Sequence, residues 1–312
     1  MKPGATDFLR ITAGAAVFFG VVILGLHYRS LENSAGQLAS RATRLELVEQ
    51  VRLAVALASE AEKSAVMADT DGDSRTFADQ ARASTAKAEQ GRLKLEGLLA
   101  ADGSQDERAT LAQFSQSFAE LQRIDKELLD LAVRNSNLKA YSLAFGPAAA
   151  EIREMDAALA RVAADKGASG QADNLRVTEL ADGARIAALR ILALLPPHIA
   201  EESNRRMDEM EAAMAAEDRM VRSNLENLAA LPNLGGNTDL AAAMGRYARF
   251  SGLRAQILKL SRENTNVRSL AISLSQKRKA MLVCEDALSA LEQAIRAEPA
   301  NAPPRSAPVS PR

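Results

Sequence analysis

Few residues in this chain have the types and spacing for chemistry. Its two histidines, His27 and His198, and its one cysteine, Cys284, stand far apart, and none shares metal-ligand spacing with another. The sequence contains no Ser-His-Asp arrangement, P-loop, GxGxxG or CxxCH haem site. It therefore predicts no catalytic residue, no metal and no cofactor, in a protein that is not an enzyme. The acids at Asp69, Asp71 and Asp73 alternate as in a calcium loop. Ser74 stands where that loop needs glycine and Gln80 where it needs glutamate, so a solvated turn is expected. What stands out instead is a pair of amide motifs. Residues 131–145 (LAVRNSNLKAYSLAF) align without a gap on residues 260–274 (LSRENTNVRSLAISL), 129 positions later. Asn135 falls on Asn264, Ser136 on Thr265, Asn137 on Asn266 and Lys139 on Arg268. The match extends to Phe118 on Tyr247, Leu121 on Phe250, Met155 on Cys284 and Leu159 on Leu288, which marks an internal duplication and places Cys284 in a core.

Two uses fit such amides. Paired buried asparagines fix helix register, because leaving one unpaired is costly. A polar site between helices is the other use, with Lys139 and Arg268 supplying positive charge for a small anion. Register locking is the stronger expectation. Asn135 and Asn264 lie on apolar stripes and should face inward. Asn137 and Asn266, about 200° further round a helix, should face other neighbours or solvent.

The elements that position these motifs are helical. Hydrophobic residues make up 47 % of the 312, but aromatics are 4 % and Trp is absent, which starves a sheet. Net charge is −1 with both signs interspersed, which argues against nucleic acid as a partner. Apolar residues at three- and four-residue spacing predict a first helix to about Met67 and a second opening at a Thr76–Asp79 capping box. A third, opening at a Ser104–Glu107 box, runs unbroken through Asn135 with a kink at Pro147. The second copy predicts a helix from about Asn174 stopped by Pro196-Pro197, another to Leu231, and a last long helix capped by Thr238 or Asp239.

Residues 11–26 (ITAGAAVFFGVVILGL) are uncharged and apolar, about 24 Å long as a helix. With flanking residues they predict a single-pass anchor at 8–27 rather than a cleaved leader. Lys2 and Arg10 favour a cytoplasmic N-terminus, which puts the bulk of the chain on the periplasmic or extracellular side of the inner membrane. Residues 299–312, rich in Pro, Ala and Ser, are expected to be disordered.

Each repeat, at about 45–166 and 173–297, holds two shorter helices and one of double length. The economical packing over 28–298 is two stacked four-helix bundles. On residues 128–147 (LLDLAVRNSNLKAYSLAFGP) and 260–278 (LSRENTNVRSLAISLSQKR), this arrangement resembles the helical bimodular sensory domains. Those are enlarged relatives of the four-helix-bundle module of methyl-accepting chemotaxis receptors and histidine kinases. The resemblance implies recognition of a small ligand or a partner protein in signal transduction. No second membrane helix, kinase or chemotaxis output module is expected after the last helix. The expectation is action through a receptor or histidine kinase partner, or through a homodimer. The alternative is a periplasmic scaffold that oligomerises.

Overall fold

Ala, Leu, Glu and Arg dominate the chain and lose little freedom on entering a helix. The computed structural model describes the backbone of residues 5–164 and 171–297, with side chains described over 35–164 and 173–297. Every described element is helical, and no strand occurs among the described residues. The first repeat runs α1 (Ala5–Met67), α2 (Asp71–Asp102), α3 (Gln105–Ala132), α4 (Ser136–Leu143), a π turn (Ala144–Ala148) and α5 (Ala149–Ala164). The second runs α6 (Gln171–Ala200), α7 (Asn204–Ala229), α8 (Thr238–Glu263), α9 (Thr265–Ile272), a second π turn (Ser273–Lys277) and α10 (Arg278–Ala297).

Burial repeats as the sequence does. Leu47, Val48, Val51, Ala54, Val55 and Ala58 on α1 recur as Leu180, Ala181, Ala184, Ala187, Ala188 and Ile191 on α6, a displacement of 133. On α3 and α8 the displacement is 129: Leu111, Phe114, Phe118, Leu121 and Leu128 recur as Leu240, Ala243, Tyr247, Phe250 and Ile257. The copies therefore differ in length between their second and third helices.

Several helix ends depart from expectation. The double-length helices are broken: α3 ends at Ala132 and α4 begins at Ser136, and α8 gives way to α9 at Asn264. Helix α2 opens at Asp71 rather than Thr76, because Thr70 Oγ1 accepts from the Asp73 N–H (3.1 Å) and donates to the Asp73 carboxylate (2.8 Å). Pro196 and Pro197 lie inside the end of α6 instead of stopping it. Asn237, not Thr238 or Asp239, caps α8, its Oδ1 accepting from the Leu240 N–H at 2.9 Å. The Ser104–Glu107 box forms as read, with reciprocal bonds of 2.6 and 3.1 Å. Pro147 sits in the first π turn, yet the second π turn has Gln276 at the matching place. The wide turn thus belongs to the repeat and accommodates the proline.

The chain divides into two compact units. One comprises Met1–Ser59, Ala81–Gln122 and Lys279–Arg312; the other comprises Glu60–Gln80 and Arg123–Arg278. The core of the first draws on α1, α2, α3 and α10, with Phe114, Phe118, Leu95, Leu99, Leu288 and Leu291 at its centre. Cys284 is buried among them. Gly91 lets α2 approach α1 closely, since a Cβ there would meet Val51 Cγ2 at 2.5 Å. The core of the second unit draws on α4 to α8, around Phe250, Ile191, Leu195, Leu159 and Met155.

Among the described residues, one helix stretch, Asp173–Ala200 in α6, is long and apolar enough to cross a membrane. It also supplies Leu180 to Ile199 of the second unit's core, and a core helix passes the same test of length and composition. The expected anchor at 8–27 lies along α1, and its side chains fall outside the described residues. The turn at 165–170 and the tail at 299–312 also fall outside them.

Candidate functional site at the paired asparagine breaks

Both motifs lie in the second unit, and the structure brings them face to face. Asn135 (φ 50°, ψ 40°) and Asn264 (φ 52°, ψ 38°) adopt the left-handed conformation. Asparagine enters that region more readily than other side-chain-bearing residues. Each break opens a new helix whose first N–H groups lack intrahelical acceptors, and neither Asn135 nor Asn264 caps its own helix. The other motif supplies the caps. The Ser136 N–H donates to Thr265 Oγ1 and the Thr265 N–H to Ser136 Oγ, both at 3.0 Å. The Asn137 N–H donates to Asn266 Oδ1 (3.2 Å) and the Asn266 N–H to Asn137 Oδ1 (3.1 Å). Asn137 Nδ2 donates to Asn264 Oδ1 (2.7 Å), and Asn266 Nδ2 to Asn135 Oδ1 (2.9 Å). Each bond has its mate under exchange of the two copies, which defines a local pseudo-two-fold.

The network reaches the two hairpin turns. Asn137 Nδ2 also donates to the Ile199 carbonyl (2.7 Å) and Asn264 Nδ2 to the Glu201 carbonyl (2.8 Å), tying in the α6–α7 turn. Asn135 Nδ2 donates to Asp71 Oδ1 (3.0 Å), tying in the α1–α2 turn. In that turn Ser74, fully buried, donates between the Ala65 and Ala132 carbonyls (3.0 and 3.2 Å). Lys139 is engaged within the protein, its Nζ on the Arg134 carbonyl (2.7 Å) and on Asp71 (3.0 Å). Burial alone would raise the Asp71 carboxyl, but bonds from Lys139 and Asn135 more than offset it and hold it below its ordinary range. Asn137 is buried and bonded rather than turned to solvent. Of the two settings expected for it, other neighbours or solvent, it takes the first, and the left-handed residue before it sets the direction of everything that follows.

Arg268 is exposed and lines a groove of about 360 Å³ beside the break, with Arg123, Lys126, Glu127, Asp130, Leu131 and Arg134. Lys126 pairs with Asp130 at 3.0 Å. Among the described residues, no carboxylate pairs with the guanidinium groups of Arg134 or Arg268. The groove thus carries four cationic side chains against two carboxylates. Such a surface attracts a small anion, and a guanidinium presents it with paired donors.

A second polar cluster was not anticipated from the sequence. His198 is fully buried, its Nδ1 2.8 Å from Ser261 Oγ and its Nε2 3.0 Å from Glu211 Oε1. The residue types are those of a hydrolytic triad, but the arrangement is not. Ser261 is fully buried and donates to the His198 carbonyl (2.9 Å), so no substrate reaches its oxygen. Burial pushes the imidazole below its ordinary value, opposed by the Glu211 carboxylate. The equivalent positions in the first repeat are the buried alanines Ala65, Ala78 and Ala132. A search for polar residues where the other repeat has alanine would have found the cluster. Among the described residues, no group of three His, Cys, Asp or Glu side chains is placed to hold a metal.

No family model, curated protein or solved structure matches this chain.

Proposed function

We propose that this chain is a membrane-anchored sensory-type helical protein, with residues 8–27 as its anchor and two stacked four-helix bundles on the periplasmic or extracellular side. It binds a small anion at the groove of Arg134 and Arg268, and it passes the event to a receptor or histidine kinase partner or to a second copy of itself. One observation carries this reading. Arg134 and Arg268 flank the two equivalent helix breaks and line one groove there, with no carboxylate pairing either guanidinium among the described residues. An anion bridging them contacts both repeats next to the cap bonds, where a small change of setting is shared by α3–α4 and α8–α9. The resemblance to chemotaxis-receptor sensory modules is consistent with this reading. The test is titration of the full-length protein with inorganic phosphate and succinate, followed by thermal shift and calorimetry. Saturable stabilisation, lost when Arg134 and Arg268 are both changed to serine, supports it. No binding of either probe, or binding that survives the double change, counts against it.

A scaffold reading rests on a different observation. Leu53 and Leu57 on α1, and Leu282 and Val283 on α10, are large apolar side chains more than half exposed in the first unit. Exposed apolar surface of this kind serves self-association. Sedimentation of the full chain separates the two: an oligomer indifferent to anions favours the scaffold.

A further inference from the structure

The two repeats differ in what they bury at equivalent places, and one difference in the second unit leaves a charge unbalanced. Glu62 on α1, Asp125 on α3 and Lys277 at the end of the second π turn are 1, 7 and 3 % exposed. Lys277 Nζ bonds Asp125 Oδ1 and lies 3.7 Å from Glu62 Oε2. Neither oxygen of Glu62 makes a hydrogen bond. With all three groups ionised, two carboxylates share one ammonium and a net negative charge remains where water does not reach, an arrangement of high cost. The fold itself does not demand it. At the equivalent positions of the other repeat, Glu62 is matched by the buried Leu195 and Lys277 by the buried Ala148.

We propose that this cluster is a proton-binding site. Glu62 holds a proton at neutral pH beside the Asp125–Lys277 ion pair, and it loses that proton as the medium turns alkaline, which loosens the π turn that Lys277 anchors. The geometry selects Glu62 because Asp125 already has a hydrogen-bonded ammonium. Burial raises both carboxyls above their ordinary range, with Lys277 opposing. The other groups facing Glu62 are Lys63 on α1 and the Ser273 hydroxyl on the π turn, both favouring the ionised form less strongly than burial opposes it. The two π turns occupy matching places, and wide turns of this kind are often working parts of helices. Only the second has a buried charge at its end, so protonation distinguishes the two repeats.

The sign follows from linkage. A carboxyl whose folded pKa is raised leaves stability intact below its ordinary range, near pH 4.3, and erodes it as pH rises toward the folded value. In the full-length wild type, the unfolding equilibrium constant should climb about ten-fold per pH unit across that window from this one proton. Glu62→Gln should remove that component, and so should Glu62→Leu, which installs the residue of the matching position. Infrared difference spectroscopy should show a buried carboxylic-acid carbonyl band at neutral pH in the wild type that vanishes in either Glu62 variant. Hydrogen-exchange protection at residues 273–277, taken relative to the intrinsic base-catalysed rate at each pH, should fall with rising pH in the wild type and hold constant in the Glu62 variants. Absence of the acid band from the wild type at neutral pH overturns the proposal whether or not the variants fold. An unchanged pH slope in a folded Glu62 variant overturns it as well.

Discussion

Asn264 combines a strained backbone with two side-chain bonds, and substitution can separate them. Its side chain accepts from Asn137 Nδ2 and donates to the Glu201 carbonyl, while its φ of 52° is one that a β-carbon disfavours. Asn264→Gly keeps the backbone and deletes both bonds, for a loss of about 2 kcal/mol at ~1 kcal/mol each. Asn264→Ala deletes the same bonds and adds the left-handed penalty of about 1–2 kcal/mol, for a total of about 3–4 kcal/mol. The alanine variant should therefore be the less stable, the reverse of their order in an ordinary helix, where glycine is worse by ~1 kcal/mol. Urea unfolding of the full-length protein followed by circular dichroism measures both, with the slope checked for constancy. If alanine equals or exceeds glycine in stability, α8 and α9 form a continuous helix in solution and the reciprocal caps do not exist.

Other outcomes follow from the same contacts. Ser136→Ala and Thr265→Val combined should show a coupling of about 0.5–3 kcal/mol in a double-mutant cycle, because each hydroxyl caps the other's helix. Independent effects would mean the caps act separately. Burial holds the His198 imidazole below its ordinary value, so the native state stays neutral while the unfolded chain takes up a proton near pH 6.5. Stability is then complete above that pH and falls below it, by up to about ten-fold per pH unit in the unfolding constant, and His198→Asn should abolish that component of the acid slope. Pro147→Ala should leave the first π turn in place, because Gln276 occupies the same position in the second. Collapse of that turn to ordinary α-helix, seen in backbone chemical shifts, would assign it to the proline instead.

The helical class, the duplication and the position of Cys284 in a core were legible because they depend on composition and three- to four-residue periodicity. Of the helix starts set by local hydrogen bonding, the box at Ser104 and Glu107 was legible, whereas the caps at Thr70 and Asn237 were each displaced from the expected residue. The breaks at Asn135 and Asn264 were not. An amide on an apolar stripe reads the same whether its backbone is right- or left-handed, and only its partner 129 residues away satisfies the N–H groups that a break exposes. Thr70 and Thr76 both precede an acid by three, which does not distinguish them; in the fold Thr70 caps α2, while the Thr76 hydroxyl donates to the Gly72 carbonyl inside it. The buried sets around His198 and Glu62 went unread because the residues of each come together only through tertiary packing. The first helices of the repeats are displaced by 133 and the third by 129, so the 129-residue alignment of the motifs does not pair Glu62 with Leu195 or His198 with Ala65.

The account turns on whether an anion in the Arg134–Arg268 groove is felt at both helix breaks. Hydrogen exchange of the full-length protein, with and without saturating succinate or phosphate, reads this at the amides of Ser136, Asn137, Thr265 and Asn266. The account predicts that all four slow together on adding the anion, and that the effect disappears when Arg134 and Arg268 are serine. Slowing in one motif alone, or no change in either while the anion is bound, would contradict it.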